Sequence, residues 1–335
     1  MGVKAYNAIM PTVASVLITG CAGFIGSNLA RRCLAEGWQV DGVDDLSNGH
    51  VEFVPNEISE LIKGDFACDE VKNRLSSGLY DVVFHLAAVP RVGYSVDHPI
   101  ESNDVNVSRT LQLLDACKGN VDRVVFASSS SVYGGRSAGQ FASHENDSRL
   151  PKSPYALQKA IIEDYLRLYK ELYGMDSVCL RFFNVFGPNQ LGNSPYATAV
   201  SSWMHAIKSG LPMRSDGDGE QTRDMCYVDN VTDACVKAAN VPKFTNFLDG
   251  RPFNVACGKA VSNNRILDSL IKRYPNASVT HAPERPGDVK HTLADVSRAK
   301  QELGYAPIVD FWEGLERTIE WVERTPEFTS LVLNK

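Results

Sequence analysis

The short apolar run at residues 16–19, followed by Gly20-Cys21-Ala22-Gly23-Phe24-Ile25-Gly26, leaves this chain few folds to choose from. An apolar run of that length marks a strand covered on both faces. A helical pattern continues to about Glu36, and Gly37 suits its stop. Strand, glycine turn and helix in that order make a phosphate site. Glycines let the backbone come close, and the helix N-terminus offers free N–H groups. The spacing is Gly-x-x-Gly-x-x-Gly, which by itself fits an ordinary tight βα turn equally well.

The next segments repeat the unit. Residues 39–43 read as a second strand with Asp44 at its end. A carboxylate there grips the adenosine ribose hydroxyls and repels a 2′-phosphate. No arginine follows directly, so the residues favour NAD over NADP, although Asp44 also reads as a plain loop acid. Residues 61–65 form a third predicted strand, placing Asp65 within reach of an adenine. Residues 82–86 form a fourth, running into Ala87-Ala88, whose small side chains leave room for the cofactor backbone. His85 is expected to be packed, not catalytic. A helix over about 100–118 carries Asn106, and a fifth strand at 124–127 ends in Ser128-Ser129-Ser130-Ser131. A helix to about residue 173 and a sixth strand at 177–182 complete the alternation. Such alternation predicts an α/β fold with a doubly wound parallel sheet. Ligands sit at the carboxyl ends of its strands, where the serine run falls; four serines also make a plain polar turn.

The alternation stops near residue 187. The chain therefore divides into a dinucleotide-binding domain, 1–186, and a smaller interleaved substrate domain, 187–335. The first is expected to regain the chain near 225–240, where residues 225–228 read as a strand entering a helix. Further helices are predicted over about 196–209 and 312–323.

Ser153-Pro154-Tyr155-Ala156-Leu157-Gln158-Lys159 puts a phenol and an ammonium on one helix face. A free phenol titrates near pH ~10. A neighbouring cation is expected to lower that value, so that Tyr155 takes a proton from an alcohol or sugar hydroxyl. Taken alone, the pair is also an ordinary one on an amphipathic helix.

Composition removes other classes. A net charge of −6 with no long basic run argues against nucleic acid as the main partner. Eight scattered cysteines without a Cys-x-x-Cys pair suit a reducing compartment, and predict neither a disulfide frame nor a metal site. No apolar run is long enough to span a bilayer, so no membrane partner is expected. Residues 1–12 lack a secretion signal's apolar core and read as a loose leader, which makes the cytoplasm the expected location.

In order along the chain stand the glycine turn, Asp44, the serines before Val132-Tyr133-Gly134, Tyr155 with Lys159, Asn184, Asp218-Gly219 with Arg223, and Arg285-Pro286-Gly287-Asp288. Together they resemble the extended short-chain dehydrogenase/reductases, and within them the nucleotide-sugar 4-epimerases, over residues 16–322. The resemblance implies a Rossmann sheet holding NAD against Gly20, Gly23, Phe24, Ile25, Gly26, Asp44, Asp65, Leu86, Ala87, Ala88 and Asn106. It implies that Tyr155 is the acid/base, that Lys159 binds the nicotinamide ribose and tunes Tyr155, and that Ser129 hydrogen-bonds the reacting hydroxyl, with Ser130 accessory. Asn184, Arg223 and Arg285 match groups that hold a UDP diphosphate, and Asp288 one near the nucleoside. Thr292 occupies a gatekeeper position where a small residue leaves room for a 2-acetamido group.

The implied substrates are UDP-GlcNAc and UDP-GalNAc. UDP-glucose and, through Arg91 in Val89-Pro90-Arg91-Val92, UDP-glucuronate remain alternatives, as does a non-catalytic NAD-binding regulator. A 4,6-dehydratase is disfavoured, because Ser130-Ser131 stand where its acid/base pair belongs. The resemblance also implies a homodimer that pairs the helices around 100–118 and Tyr155, with Leu111, Leu114, Ile161, Tyr165 and Leu168 serving either as its seam or as core.

Overall fold

The computed structural model describes residues 14–135, 142–193, 197–242, 245–284 and 289–325. The first part of the chain builds β1 (Ser15–Thr19), α1 (Phe24–Ala35), β2 (Gln39–Asp44), β3 (Glu60–Lys63), α2 (Asp69–Ser76), β4 (Val82–His85) and α3 (Val92–Asp97). Then come α4 (Pro99–Asn103), α5 (Thr110–Cys117), β5 (Arg123–Ser129), α6 (Pro154–Tyr173) and β6 (Ser177–Phe182). A π-helical turn, Asp104–Arg109, joins α4 to α5, so the expected helix over 100–118 is rewound at its middle.

These strands alternate their side chains between two cores, as a strand buried on both faces must. Val16 and Ile18 pack with Leu29 and Cys33 of α1 on one face of the sheet. Leu17 packs on the other face with Leu75, Leu113 and Ile162 of α2, α5 and α6.

Beyond β6 the elements are β7 (Val185–Phe186), α7 (Ala199–Lys208), β8 (Met213–Asp216), β9 (Thr222–Asp224), β10 (Cys226–Tyr227) and α8 (Val228–Asn240). β11 (Asp249–Val255), β12 (Ala260–Ser262), α9 (Asn263–Arg273), β13 (Val279–Ala282), α10 (Ser297–Leu303) and α11 (Phe311–Arg324) follow. The central sheet is parallel throughout, in the order β3-β2-β1-β4-β5-β6-β11. The chain changes direction across the sheet between β1 and β4, which opens a crevice at the carboxyl ends of those strands.

Two segments from beyond residue 187 return to this sheet. α8 packs Val231, Ala234 and Cys235 into the core beside α1. β11 pairs with β6 as the seventh strand, which was not foreseen. It opens with Asp249-Gly250-Arg251-Pro252, turn-forming residues that slip the register between Asp249 and Pro252, and this hid it in the sequence. α10 also joins that first core through Ala299 and Leu303, and the other elements share a separate core of Phe186, Trp203, Met213, Leu270, Phe311 and Ile319. There β7 pairs with β10, β8 with β13 and β9 with β12.

Candidate active site

The floor of the crevice is the glycine turn. Gly20 has φ +73°, and a Cβ there would press on the Ala87 backbone nitrogen at 3.0 Å. A Cβ on Gly26 would be driven into the Gly20 carbonyl oxygen. Gly23 is the N-cap of α1; it contributes no side-chain cap, and no acid stands in the first turn. The N–H groups of Phe24 and Ile25 therefore open a helix whose start carries no negative side chain, which suits a phosphate.

Asp44 is buried beside this turn. Its carboxylate accepts from the backbone N–H of Ala22 at 2.9 Å and of Leu46 at 2.8 Å. Burial raises its pKa, against those hydrogen bonds. A Cβ on Gly49 would lie 2.7 Å from its Oδ1, so the loop closes tightly over the carboxylate. These features fit a dinucleotide: room where the glycines stand, bare helix N–H groups, and an acid at the end of β2.

Thr19 was missed in the sequence and ties the floor together. Its hydroxyl oxygen accepts from the N–H of Leu86 at 3.1 Å and of Ala87 at 3.0 Å, fixing the Leu86-Ala87-Ala88 stretch over Gly20. The signal for it was a single polar residue ending an apolar strand next to a glycine. His85 is buried between Thr19 and Thr110 and is pulled down to about 3 by burial, so it stays neutral and packed, as expected.

Asp65 and Asn106, expected to face the cofactor, also have partners within the protein. Asp65 accepts from Ala67 N at 2.7 Å and forms an ion pair with Arg109. Asn106 lies buried in the π-helical turn. Its Oδ1 accepts from Val89 N at 2.8 Å, and its Nδ2 donates to Val89 O and to Gln158 Oε1. Its amide is thus fully occupied in clamping the loop after β4 to the helix of Tyr155.

That helix starts cleanly. Ser153 caps it by accepting from Ala156 N at 3.2 Å, and Pro154 fills the first helical position. The Tyr155 N–H donates to Ser95 Oγ at 3.1 Å, so α3 fixes the helix start from outside. Tyr155 is half-buried and can be reached; Lys159, one turn on, is 4% exposed.

The Lys159 ammonium donates to Ala127 O at 2.7 Å and lies 4.6 Å from the Phe126 ring centre and 5.8 Å from that of Tyr155. Burial pulls Lys159 down to about 7, opposed by Cys179 and Glu163. Burial pushes Tyr155 up to about 12, and the hydroxyl of Ser129, hydrogen-bonded to the phenol, works against it. This corrects one expectation: in the protein alone desolvation outweighs any help from Lys159, and Ser129 is the group that favours the phenolate. Ser129 ends β5, accepts from Ser131 N at 3.2 Å, and leads into the 3₁₀ turn Ser130–Tyr133, with Ser130 half-buried.

The other wall joins distant segments. Asn184 has φ +28° and donates from Nδ2 to Thr292 Oγ1 at 3.0 Å. Thr292 lies along β9, its N–H donating to Thr222 O at 3.0 Å and its carbonyl accepting from Asp224 N at 2.9 Å. Arg223, on the same strand, donates to the carbonyls of Thr222 and Lys290. Asn184, Arg223 and Thr292 therefore meet, whereas Arg285 and Asp288 lie outside the described residues.

Asp224 organises this wall and was also missed. It is fully buried and accepts from the N–H groups of Cys257 at 2.9 Å, Gly258 at 3.0 Å and Ala294 at 3.1 Å. Burial pushes it up to about 6, partly countered by those bonds. An acid beside the apolar run Met225-Cys226-Tyr227-Val228 was the available signal.

Known proteins resemble this chain over most of its length. A UDP-glucose 4-epimerase of Mycolicibacterium smegmatis is 36% identical over 315 residues, 91% of this chain and 97% of that protein. A solved UDP-N-acetylglucosamine 4-epimerase from Methanobrevibacter ruminantium, in complex with UDP-N-acetylmuramic acid, superposes with a TM-score of 0.84 at 37% identity, covering 92% of this chain and 98% of that one. A UDP-glucuronic acid 4-epimerase from Bacillus cereus, in complex with UDP-glucuronic acid and NAD, gives 0.81 at 30% identity, covering 92% and 99%. The profile of one family matches residues 16–256, from the first strand through the seventh, and the chain belongs to that family, the NAD dependent epimerase/dehydratases.

Proposed function

We propose that this chain is an NAD-dependent 4-epimerase of UDP-hexoses, acting preferentially on UDP-GlcNAc and UDP-GalNAc. The observation that carries the reading is the half-buried Tyr155, hydrogen-bonded by Ser129 at the end of β5 and backed by buried Lys159, in a sheet whose β1 ends in a glycine turn with no capping acid. In this reading Gly20, Gly23, Gly26 and Asp44 hold NAD, which when bound takes the C4 hydride and gives it back. Tyr155 acts as the phenolate, the form favoured by Ser129 and by the positive charges of Lys159 and of bound NAD, to accept the 4-hydroxyl proton, and later returns it to the same oxygen. Ser129 orients that oxygen, with Ser130 as an accessory contact, and Lys159 supplies positive charge behind the phenol. Asn184, Arg223, Arg285 and Asp288 anchor the UDP, which leaves the sugar free to turn and present its other face. Residues 187–335, apart from α8 and β11, form the part that binds the nucleotide sugar.

Thr292 supports the acetamido preference. Its side chain is small, and Asn184 occupies its hydroxyl, so it leaves volume free. The discriminating experiment incubates the enzyme separately with UDP-GlcNAc, UDP-Glc and UDP-GlcA and separates the products. Conversion of UDP-GlcNAc is expected, and turnover of UDP-Glc alone would overturn the preference.

One observation favours a second reading, an acidic sugar. Arg91 is exposed at the N-cap of α3, its guanidinium in no ion pair or hydrogen bond among the described residues, and Ser95 of that helix touches the Tyr155 backbone. Turnover of UDP-GlcA would select it.

The homodimer belongs to the same proposal. Ile100, Leu168 and Leu172 are exposed on α4 and α6, while Leu114 is buried in the core and does not serve a seam. The cytoplasm is the proposed location, supported by eight free cysteines, none disulfide-bonded. Among the described residues no helix is long and apolar enough to cross a membrane.

A further inference from the structure

We propose that Glu163 is a positioning residue for the reaction, holding the serine end of β5 in register with the Lys159 turn of α6. The inference rests on the reading of Tyr155, Lys159 and Ser129 given above. Glu163 stands one turn beyond Lys159 and is 4% exposed. Its Oε1 accepts from Ser128 Oγ at 2.6 Å and from Arg181 Nε at 2.8 Å. Its Oε2 accepts from Arg181 Nη2 at 2.6 Å and, more weakly, from Arg149 Nη1 at 3.4 Å.

Arg181 lies on β6 directly beside Ser128 in the ladder. It also donates to the Tyr133 hydroxyl at 2.8 Å, which in turn donates to Asn254 Oδ1 at 2.6 Å. One carboxylate thus grips β5, β6 and, through Tyr133, the turn that follows Ser129. Ser128 and Ser129 point to opposite faces of their strand, so fixing one fixes the other. A buried ion pair contributes little stability compared with an apolar pair of the same shape. What this one supplies is geometry, two residues from the hydroxyl expected to meet the substrate.

Electrostatics add a second effect. Lys159 is faced by Tyr155 and Glu163 from its own helix, by His85 from β4, by Cys179 from β6, and by the Phe126 ring and Ala127 carbonyl of β5. His85 is held neutral by burial, and so are the Cys179 thiol and the Tyr155 phenol. Glu163 is therefore the charge in this set that favours the ammonium.

Three variants test the inference. Glu163→Gln should lower kcat roughly tenfold, a fraction of the roughly 10²–10⁴-fold that proton transfer contributes, while NAD content and the KM for UDP-sugar stay near wild type. It should also move the alkaline limb of the kcat profile to lower pH, because Lys159 loses its proton sooner. Ser128→Ala should lower kcat roughly fivefold, the worth of one hydrogen bond, and leave the limb in place. A folded, NAD-loaded E163Q with wild-type kcat and pH profile overturns the proposal. Should E163Q fail to fold, S128A decides, and wild-type turnover there overturns it equally. Tyr155→Phe separates the two readings. If it is inactive while E163Q and S128A are unaffected, only the inference falls; if it is fully active, the site itself has been misread.

Discussion

Around the glycine turn, several polar groups find partners close in the chain, and the rest find them on adjacent strands. Gly23 N donates to Gly20 O, Leu46 N to Asp44, and Ala67 N to Asp65. Around Arg223 the partners come from far away. Asn184 reaches Thr292 across 108 residues, and Asp224 gathers amides from Cys257, Gly258 and Ala294. The proposed cofactor floor therefore combines local turns with ties between neighbouring strands of one sheet, through Thr19 and Asp44, whereas the proposed substrate wall is assembled from segments scattered between residues 184 and 294. The two should fail separately, and a wall of that kind can be retuned without disturbing the floor.

The largest effect lies where the halves meet. Tyr155→Phe should cut kcat by about 10²–10⁴-fold, with NAD content and UDP-sugar affinity near wild type; steady-state kinetics and the absorbance of bound cofactor check this. Next, Gly26→Ala should break the floor alone. Overpacking of this kind costs about 1–3 kcal/mol, visible as lost NAD and a lower Tm, while any enzyme that still carries NAD should keep its KM for UDP-sugar.

Asp224→Asn sharpens the comparison from the other side. An N–H of the Cys257–Ala294 cluster loses its acceptor, at about 1 kcal/mol, so KM for UDP-sugar should rise roughly fivefold with NAD content unchanged. Equal loss of NAD would break the claim that the halves are independent.

The smallest effect is in pH. Asp224 is raised to about 6 in the folded chain, above an ordinary aspartate near 3.9. Its contribution to stability is full below the lower value and is lost as pH rises through the higher one. The ionised form is the one that accepts every amide, so KM for UDP-sugar should rise as pH falls through about 6. From this one group, stability and substrate affinity should move in opposite directions. Chemical denaturation and initial rates between pH 5 and 7 would show it.

The same contrast governs what the sequence discloses. Most strands from β1 to β6 are short runs buried on both faces, and the glycines and acids at their ends mark the proposed cofactor floor. β11 escaped because its first residues are turn formers and only Phe253-Asn254-Val255 reads as strand. Asn106 is given to the cofactor by the resemblance alone, and its hydrogen bonds within the protein were not legible from a regular helical spacing. The π-helical turn at Asp104–Arg109 shifts the face and aims that amide at Val89 and Gln158. The pattern Tyr155-x-x-x-Lys159 was legible, but the balance of its charges was not, because burial enters only with the neighbouring strands. Thr19 and Asp224 are single polar residues in apolar surroundings, and no local motif reveals which distant amides they serve.

The late arrival of β11 has a consequence for synthesis. When residues up to 187 have left the ribosome, β6 still offers an open row of N–H and C=O groups, because its outer neighbour lies more than sixty positions downstream. A nascent chain stalled at that point presents a sticky border to other nascent chains, and pairing there is an established route to aggregation. Excising residues 14–187 as an independent cofactor-binding module would make that exposure permanent.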